Sequence, residues 1–285
     1  MRGRLRVAAP SKGRLAEPTL RLLADAGIPV PSDDRRLIVE IPGQPLEVLF
    51  ARTDDIPTLI ADGAADVGVA GGNQLLEHGD DGVAVLAELG YGTCSLVIAA
   101  PAESDIRSRG DLAGRRIATS HPVILARHLA ASGIDASVVT LSGSIELAPA
   151  LGAADAICDL VSTGETLRQN GLRPVETILR SQAVLLARVD HADDDRITAL
   201  RTVVESVLAA RPKRYLMLNA PDAALDRVVK LLPGIDAPTI LPLARADMHA
   251  VHAVVDAADV PRLLHPLKEA GASGVLVLPI EHLIP

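Results

Sequence analysis

The sequence is poor in aromatic residues and has no excess of positive charge. Its 285 residues include no Trp, one Phe and two Tyr, although hydrophobic residues make up 48%. The core is therefore predicted to be aliphatic, and the rings on which proteins stack nucleobases are nearly absent. Asp and Glu outnumber Lys and Arg by 36 to 28, which gives a formal net charge of −8. Because general nucleic-acid binders neutralise phosphates with surplus Lys and Arg, this composition excludes that class of protein.

Cysteines and long apolar runs are also scarce. Cys94 and Cys158 lie inside apolar segments without the spacing of a metal site, which predicts reduced thiols. No run reaches the ~20 apolar residues of a membrane span. The N-terminal MRGRLRVAAP turns into a strand before an apolar signal-peptide core could form. We expect a soluble, cytoplasmic protein that does not bind membranes.

What the chain does contain is an alternation of short apolar runs and helical patterns, which is typical of an α/β domain with a largely parallel sheet. A glycine-flanked joint at Gly90–Gly92 separates two such units. We predict a first lobe from residues 1–90 plus about 182–211, and a second lobe from 91–181. In the second lobe, helices are predicted to start at Pro122 and Ser144. A cleft between two such lobes would gather the carboxyl ends of the strands, where ligands of α/β sheets bind.

Residues 212–285 follow a different pattern, in which the elements alternate as βαββαβ, the ferredoxin-like arrangement. No catalytic cluster stands out in this segment, so we expect it to regulate or to assemble. His249 and His252 are three apart in a predicted strand and should point to opposite faces, which prevents them from chelating one metal.

The segment ADAICDLVSTGETL, residues 154–167, is the strongest candidate for a site. If residues 155–161 form a strand, Asp155 and Asp159 point to the same side, about 13 Å apart. The turn that follows, residues 162–166, offers hydroxyl groups, a glycine and the amides of a new helix, which together suit a phosphate. Carboxylates beside it could accept hydrogen bonds from ribose hydroxyls. The structural alternative is a helix capped by Ser162 or Thr163.

Two further stretches could bind anions. In SKGRL, Lys12 and Arg14 follow the first predicted strand and should face the cleft, although ordinary surface charge is the alternative; Arg52 is a parallel case. The glycines of DVGVAGGN, residues 66–73, could cradle phosphate, but a strand-to-helix turn with Asn73 as the cap is favoured.

Spaced residues in and before the candidate loop resemble the signature of the ATP phosphoribosyltransferase family, the first enzyme of histidine biosynthesis. The matching positions are Glu146, Gly152, Ala154, Ile157, Asp159, Leu160, Thr163, Gly164, Thr166 and Leu167. The resemblance continues through PSKGRL (10–15), RTDDIPTLI (52–60), DGAADVGVAGGNQL (62–75), RRIATSHP (115–122), APTILPLA (237–244) and GASGVLVLPIE (271–281). Together these segments extend over nearly all of the chain.

The resemblance implies a reaction and an architecture. In this family N1 of the adenine of ATP attacks C1 of phosphoribosyl pyrophosphate in the presence of Mg²⁺, and pyrophosphate leaves. The implied fold is a two-lobed α/β catalytic half similar to periplasmic binding proteins, followed by the ferredoxin-like regulatory domain of the long form. Inhibition by histidine and interconversion of homodimers and homohexamers are implied as well.

The resemblance also implies roles for individual residues. Catalytic roles fall to Lys12, Arg14 and Asp159. Phosphoribosyl pyrophosphate would contact Glu146, Asp155, Asp159, Ser162, Thr163, Gly164, Glu165 and Thr166, and either Asp155 or Asp159 would meet the metal. ATP would contact Lys12, Gly13, Arg14, Arg52 and His121. Histidine would bind at Asn219, Thr239, Ala272 and Ser273.

The chain departs from related patterns at three positions. Cys158 stands where ordinary purine and pyrimidine phosphoribosyltransferases carry the first of two acids, which favours the histidine-pathway family. Asn73 replaces a frequent acidic residue, and His121 replaces a frequent Tyr. His121 could stack weakly on a nucleotide or serve only as a loop residue before Pro122. A non-catalytic two-lobed binding protein and a silent regulatory subunit are the alternative functions.

Overall fold

The computed structural model describes residues 3–31, 36–79, 82–232 and 237–285. The strands are β1 (Leu5–Pro10), β2 (Ile38–Glu40), β3 (Leu46–Ala51), β4 (Val67–Gly71), β5 (Val83–Glu88), β6 (Cys94–Pro101), β7 (Arg116–Thr119), β8 (Ser137–Thr140), β9 (Ala156–Val161), β10 (Leu172–Ser181), β11 (Ala183–Arg188), β12 (Lys213–Pro221), β13 (Thr239–Pro242), β14 (Met248–Asp256) and β15 (Ser273–Pro279). The helices are α1 (Ala16–Asp25), α2 (Ile56–Ala61), α3 (Gly72–His78), α4 (Pro122–Ala131), α5 (Glu165–Gln169), α6 (Asp195–Ala210), α7 (Asp222–Leu231) and α8 (Val260–Glu269).

The first sheet has the strand order β2-β3-β1-β4-β11-β5. Strands β3, β1 and β4 run parallel, whereas β2, β11 and β5 are antiparallel to their neighbours. The sheet is therefore mixed, and the prediction of a largely parallel sheet is wrong. The central strand β1 is buried along almost its whole length, and its residues are apolar except for the partly buried Arg6. We call this sheet and its helices α1 to α3 lobe I.

The second sheet has the order β10-β6-β9-β7-β8, in which β9, β7 and β8 run parallel. One face packs on α4 through a core that includes Leu96, Ile117 and Leu125. The opposite face packs on Ile145 and Leu167. We call this sheet with α4 and α5 lobe II. Because β7 and β9 are parallel, the segments that follow them leave the same edge of the sheet.

The predicted helix after Ser144 is wrong. Only a single 3-10 turn forms there, Ile145–Leu147, and Ser144 has a left-handed backbone with φ 50°. Pro149 lies four residues after Ile145 and has no N–H to donate, so an α-helical ladder cannot continue through it. The helix that begins at Pro122 is present as α4.

The C-terminal sheet is antiparallel with the order β13-β14-β12-β15, and it confirms the predicted βαββαβ arrangement. Burial alternates along β12 and β14, so one face packs against α7 and α8 and the other is open. His249 Nδ1 lies 2.9 Å from Asp222 Oδ1, and His252 Nδ1 lies 3.0 Å from the hydroxyl oxygen of Tyr215.

The chain separates into two compact units, of which the second holds residues 200–285 and 25–27. This boundary lies inside α6, whereas the sequence pattern placed a boundary at residue 212, and the predicted domain limits stay predictions. No helix among the described residues is long and apolar enough to cross a membrane.

Candidate active site

The loop after β9 opens a pocket at the edge of lobe II. Burial decreases along β9, from the buried Ala156–Cys158 to partly exposed residues at its carboxyl end. The following helix, α5, has Gly164 as its N-cap, with φ 77°, so the alternative prediction of Ser162 or Thr163 as the cap is wrong. Left-handed backbone costs an L-residue roughly 1–2 kcal/mol, which explains the glycine. A Cβ at position 164 would meet no other atom within 4 Å, so glycine is required by the backbone conformation and not by steric crowding.

The pocket has a volume of about 280 Å³ and collects most residues that the sequence assigned to phosphoribosyl pyrophosphate. Its lining comprises Glu146, Ile157, Asp159, Leu160, Val161, Ser162, Thr163, Gly164, Thr166 and Leu167. Two carboxylates and three hydroxyl groups therefore share one small concave surface. Such a surface can accept hydrogen bonds from sugar hydroxyls on one side and donate them to an anion on the other.

The two carboxylates of this pocket shape its electrostatics. Burial raises the pKa of Asp159, and the negative charge of Glu146 raises it further. A backbone hydrogen bond from Leu160 N to Asp159 Oδ1, 2.7 Å long, acts in the opposite direction. The ionised carboxylate of Asp159 is therefore destabilised. Hydrogen bonds from hydroxyl groups, or a bound cation, would stabilise it.

Asp155 does not reach this pocket. It lies just before β9, at the amino edge of the sheet, since the parallel register pairs Ile117 with Ala156. Its Oδ2 accepts a 2.8 Å hydrogen bond from Arg116 N, and its Oδ1 lies 3.3 Å from Arg116 Nη2. These bonds lower the pKa of Asp155. The structure places it opposite to the end where a ribose or metal contact was expected.

Glu165 also turns away from the pocket. Its carboxylate binds Arg168 and accepts a 3.0 Å hydrogen bond from Gln169 Nε2 on the surface of α5. It is absent from the residues that line the pocket, whereas its neighbour Thr166 is among them.

The loop after β1 brings cationic side chains from lobe I toward lobe II. Lys12, Gly13 and Arg14 are exposed. Arg14 Nη1 donates a 3.2 Å hydrogen bond to Ser162 Oγ of the pocket loop, and its Nη2 donates to Cys94 Sγ at 2.8 Å. The two predicted anion-binding segments therefore touch through Arg14.

Arg52 follows β3 at the same edge of the lobe I sheet. Pro10 pairs with Ala51 in the parallel register, and Ser11 N donates to Ala51 O at 2.8 Å. Arg52 is exposed beside the segment that carries Lys12. Three predicted cationic residues thus share the carboxyl edge of lobe I.

His121 lies inside the protein and not on its surface. It is 6% exposed and forms the N-cap of α4, as the alternative reading of a residue preceding a helix suggested. Its Nδ1 lies 2.9 Å from Ser120 Oγ and its Nε2 lies 3.1 Å from Asn73 Nδ2. Because an amide N–H donates to Nε2, the network assigns a neutral ring with its proton on Nδ1. Burial lowers the pKa of His121, which agrees with that state.

Asn73 is the partner of His121, so two positions at which this chain departs from the family pattern are in contact. The prediction that Asn73 caps a helix is wrong, since the N-cap of α3 is Gly71 and Asn73 follows inside the helix. Asn73 is 1% exposed. Its amide needs fixed partners at that depth, and lobe II supplies two of them, His121 and Ser181.

Sequence reasoning missed Glu77, which joins the lobes. Its Oε1 accepts from Val123 N at 2.9 Å and its Oε2 from Ile124 N at 3.0 Å. No local pattern signals such a contact, because the partners lie more than forty residues apart in the chain.

A larger cavity of about 860 Å³ adjoins the pocket. It shares Val161 and Ser162 with it and is otherwise lined mainly by α3, β5, the start of β6 and the end of β10. The residues predicted to bind ATP are not among its lining residues. Its volume is within the range of small-molecule sites.

Among the described residues, no three His, Cys, Asp or Glu side chains are grouped as they would be around a resident metal ion. The pair formed by Glu146 and Asp159 is the carboxylate set that the pocket offers to a cation. A pair of this kind fits Mg²⁺, which proteins often bind through one or two carboxylates together with substrate phosphates.

Comparison with known proteins identifies the family. A family model described as ATP phosphoribosyltransferase matches residues 52–207, and one described as the HisG C-terminal domain matches residues 210–282. An ATP phosphoribosyltransferase of Haloarcula marismortui is 45% identical over 281 residues, which cover 98% of this chain and 100% of the relative. The chain belongs to the ATP phosphoribosyltransferase family. The resemblance inferred from the sequence is thereby confirmed.

Two further matches agree with this assignment. The ATP phosphoribosyltransferase of Methanothermobacter thermautotrophicus is 46% identical over 287 residues, 99% of this chain and 100% of the relative. A chain of the ATP phosphoribosyl transferase (HisG:HisZ) complex from Thermotoga maritima superposes with a TM-score of 0.60 at 27% identity, covering 70% of this chain and 98% of that one. ATP phosphoribosyltransferases are pentosyltransferases of histidine biosynthesis, so this chain is an enzyme of that class. The predicted fold class, a two-lobed α/β half followed by a ferredoxin-like domain, is confirmed.

Proposed function

We propose that this chain joins N1 of the adenine of ATP to C1 of phosphoribosyl pyrophosphate and releases pyrophosphate. The observation that carries the proposal is the pocket at the carboxyl end of β9, where Glu146 and Asp159 lie beside the 162–166 loop. The carboxylates accept hydrogen bonds from the ribose hydroxyls. The hydroxyl groups and amides of the loop hold the sugar's terminal phosphate.

For this reaction the protein must position the two substrates and supply positive charge. Adenine N1 carries a free lone pair, so no general base is needed to create the nucleophile. Holding two substrates in a reactive geometry contributes much of the rate. Lys12, Arg14 and Arg52 supply positive charge for the ATP triphosphate and for the pyrophosphate that leaves C1. The hydrogen bond from Arg14 to Ser162 supports this role, because it brings one of these cations to the phosphate loop.

Mg²⁺ belongs to the proposal as a substrate-associated ion. Asp159 and Glu146 would supply oxygen ligands together with the substrate's phosphates. When bound, the ion neutralises charge on the departing pyrophosphate. Asp155, which binds Arg116 at the opposite end of β9, is the weaker of the two metal candidates.

A direct assay tests the proposal. The purified full chain is mixed with ATP, phosphoribosyl pyrophosphate and Mg²⁺, and pyrophosphatase is added to remove the product that would reverse the reaction. We expect phosphoribosyl-ATP, detected by chromatography and mass spectrometry, with none formed when either substrate is omitted. A folded protein that binds both substrates and forms no product would instead favour a non-catalytic binding or regulatory subunit.

We also propose that histidine inhibits the enzyme through the C-terminal sheet. Asn219 pairs with Ser273 in the antiparallel register, and Thr239 pairs with His252 on β14. An amide, hydroxyl groups and the backbone of Ala272 would recognise the ammonium and carboxylate of an amino acid. Asn219→Ala should abolish inhibition and leave activity without histidine within about twofold. Retained inhibition in that variant would refute this location.

Assembly and location complete the proposal. A homodimer that converts to a homohexamer with histidine should be visible by analytical ultracentrifugation with and without the amino acid. The two cysteines are buried and unpaired, which supports a reducing compartment such as the cytoplasm.

A further inference from the structure

Helix α3 of lobe I caps a helix of lobe II. Glu77 is 7% exposed, and its two carboxylate oxygens accept hydrogen bonds from Val123 N and Ile124 N. These amides belong to the first turn of α4, where N–H groups have no partner inside the helix. The N-cap residue of α4, His121, gives no side-chain cap of its own. The helix terminus and the carboxylate therefore satisfy each other across the lobes, with the helix dipole favouring the negative charge.

Asn73, one turn earlier on α3, makes a second connection. Its Nδ2 donates to His121 Nε2 at 3.1 Å, while its Oδ1 accepts from Ser181 Oγ at 3.1 Å. Its backbone N donates to the same Ser181 Oγ at 2.9 Å. Ser181 is the last residue of β10, so one buried amide holds two separate elements of lobe II. Buried polar groups that are fully paired in this way resist displacement, because separation would leave each without a partner.

The clamp formed by Asn73 and Glu77 lies on the same two sheet edges as the candidate site. Strands β1 and β4 are parallel, so the Lys12–Arg14 loop and α3 both leave the carboxyl edge of the lobe I sheet. Strands β7 and β9 are parallel, so α4 and the 162–164 loop both leave the matching edge of lobe II. Fixing α3 to α4 consequently fixes one loop against the other, where Arg14 meets Ser162 at 3.2 Å.

We propose that Asn73 and Glu77 are positioning residues that set the spacing between the cationic loop of lobe I and the phosphate loop of lobe II. They are not among the residues that line the pocket, and they act through α4 and the end of β10. The inference rests on the proposed function, because it takes these two loops as the sites of the two substrates. It goes further by assigning the alignment of the substrates to a buried contact outside the pocket.

Glu77→Gln tests the clamp with little change of shape. One amide of α4 would then face an NH₂ group in place of an acceptor. Hydrogen exchange of the full-length protein should show the amides of Val123 and Ile124 exchanging at least about tenfold faster. The kcat/KM should fall about tenfold or more, mainly through higher KM for both substrates. The matched control is Glu103→Gln, an exposed carboxylate that follows β6, which should leave both measurements unchanged.

Faster exchange at α4 together with kcat/KM within twofold of the wild type would overturn the proposal, since the clamp would then only support the fold. Absence of product with the wild type would refute the proposed function instead. In that case the affinity for phosphoribosyl pyrophosphate alone, measured by calorimetry, replaces kcat/KM as the readout of Glu77→Gln. An unchanged affinity would then count against the positioning role.

Asn73→Asp provides a second variant that keeps the size of the side chain. Its carboxylate would face His121 Nε2, in surroundings that also include Glu77 and His78 of α3, Asp54 after β3 and Arg14 after β1. An adjacent carboxylate favours the imidazolium, which can donate from Nε2 and restore the contact. The kcat/KM of this variant, divided by that of the wild type, should be highest below the pKa of His121 and fall several-fold as the pH rises through it. A ratio that does not change with pH would contradict the proposal even if Glu77→Gln fails to fold.

Discussion

Two carboxylates near opposite ends of β9 differ in their surroundings and therefore in their chemistry. Asp155 immediately precedes β9, and Asp159 lies within it, four residues later. Strand periodicity predicts that both side chains point to the same side. Asp155 binds the backbone and guanidinium of Arg116, and these hydrogen bonds lower its pKa. Asp159 is held among buried neighbours next to Glu146, and burial raises its pKa. The pKa values of two aspartates only four residues apart are therefore shifted in opposite directions.

The difference follows from the two ends of the parallel strands β7 and β9. At the amino edge, Asp155 meets the amide of Arg116, which precedes the first residue that pairs with β9. At the carboxyl edge, the chain turns away through Gly164, and the space that it leaves is the pocket. The carboxylate of Asp155, which is bound by Arg116, stabilises the fold, whereas that of Asp159 accepts one hydrogen bond from Leu160 N and lines the pocket, where a ligand can reach it. We therefore expect substitutions at the carboxyl edge to affect activity and those at the amino edge to affect stability.

The largest expected effect is that of Asp159→Asn. Loss of charged hydrogen bonds to the ribose, worth roughly 1.5–3 kcal/mol each, should lower kcat/KM for phosphoribosyl pyrophosphate by about 100-fold. Asp155→Asn is the matched control and should leave kcat/KM within about twofold. Steady-state kinetics on both variants measure the contrast. Equal losses in the two variants would break the distinction between the edges.

The pH dependence of kcat/KM provides a second comparison of Asp159 with Asp155. Because the folded-state pKa of Asp159 is raised above the ordinary value of 3.8, its ionisation should give the wild type an acidic limb in kcat/KM above that pH. Asp159→Asn should lose this limb. Removing the buried charge should also raise the unfolding temperature at neutral pH, in contrast to any change at Asp155.

Thr166→Ala should have the next largest effect. Its hydroxyl lines the pocket, and loss of a hydrogen bond to a charged phosphate should raise the KM for phosphoribosyl pyrophosphate about tenfold. Thr177→Ala, on the exposed side of β10, is the control and should not change KM. An unchanged KM in Thr166→Ala would refute the proposal that this loop binds the phosphate.

Gly164→Ala and Gly152→Ala form a third test, one glycine after β9 and one before it. Both have left-handed backbones, with φ of 77° and 71°, and neither Cβ would meet another atom within 4 Å. Each substitution should therefore destabilise the protein by a similar 1–2 kcal/mol or so from backbone strain. Only Gly164→Ala should also raise the KM for phosphoribosyl pyrophosphate, by a few-fold. A change of KM in both variants would show that general strain, and not the loop, controls binding.

The sequence predicted the elements whose burial alternates or persists without interruption. The predicted strand that holds His249 and His252 is present as β14, because one face of that strand packs on helices and the other does not. Strand β10 was not predicted, because Pro174 and two register shifts interrupt the alternation of apolar and polar residues along it. Strand β5 was missed as well, at the edge of the lobe I sheet where burial is incomplete.

The site was predictable where it is local in sequence. The 162–166 loop and Asp159 are adjacent, so a strand followed by a glycine turn was enough to place them together. Strand periodicity could not show that Arg116 would bind Asp155 at the amino edge of the sheet. Contacts between the lobes, such as that of Asn73 with His121, depend on the three-dimensional arrangement. They produce no sequence pattern of fixed spacing from which they could be predicted.

The smallest expected effect tests the amino edge itself. The folded-state pKa of Asp155 is lowered, so its bonds to Arg116 stabilise the protein above the ordinary pKa of 3.8, and this contribution is lost as the pH falls through the folded-state pKa. The side chains of Arg116 and Asp155 are 47% and 32% exposed, so solvent screening limits the contribution to about 1 kcal/mol or less. Asp155→Asn should lower the free energy of unfolding by that amount at pH 7, measured by urea denaturation, and the difference should shrink toward pH 3. A difference that grows on acidification would show that Asp155 is a strained carboxylate like Asp159, and the contrast between the two edges would fail.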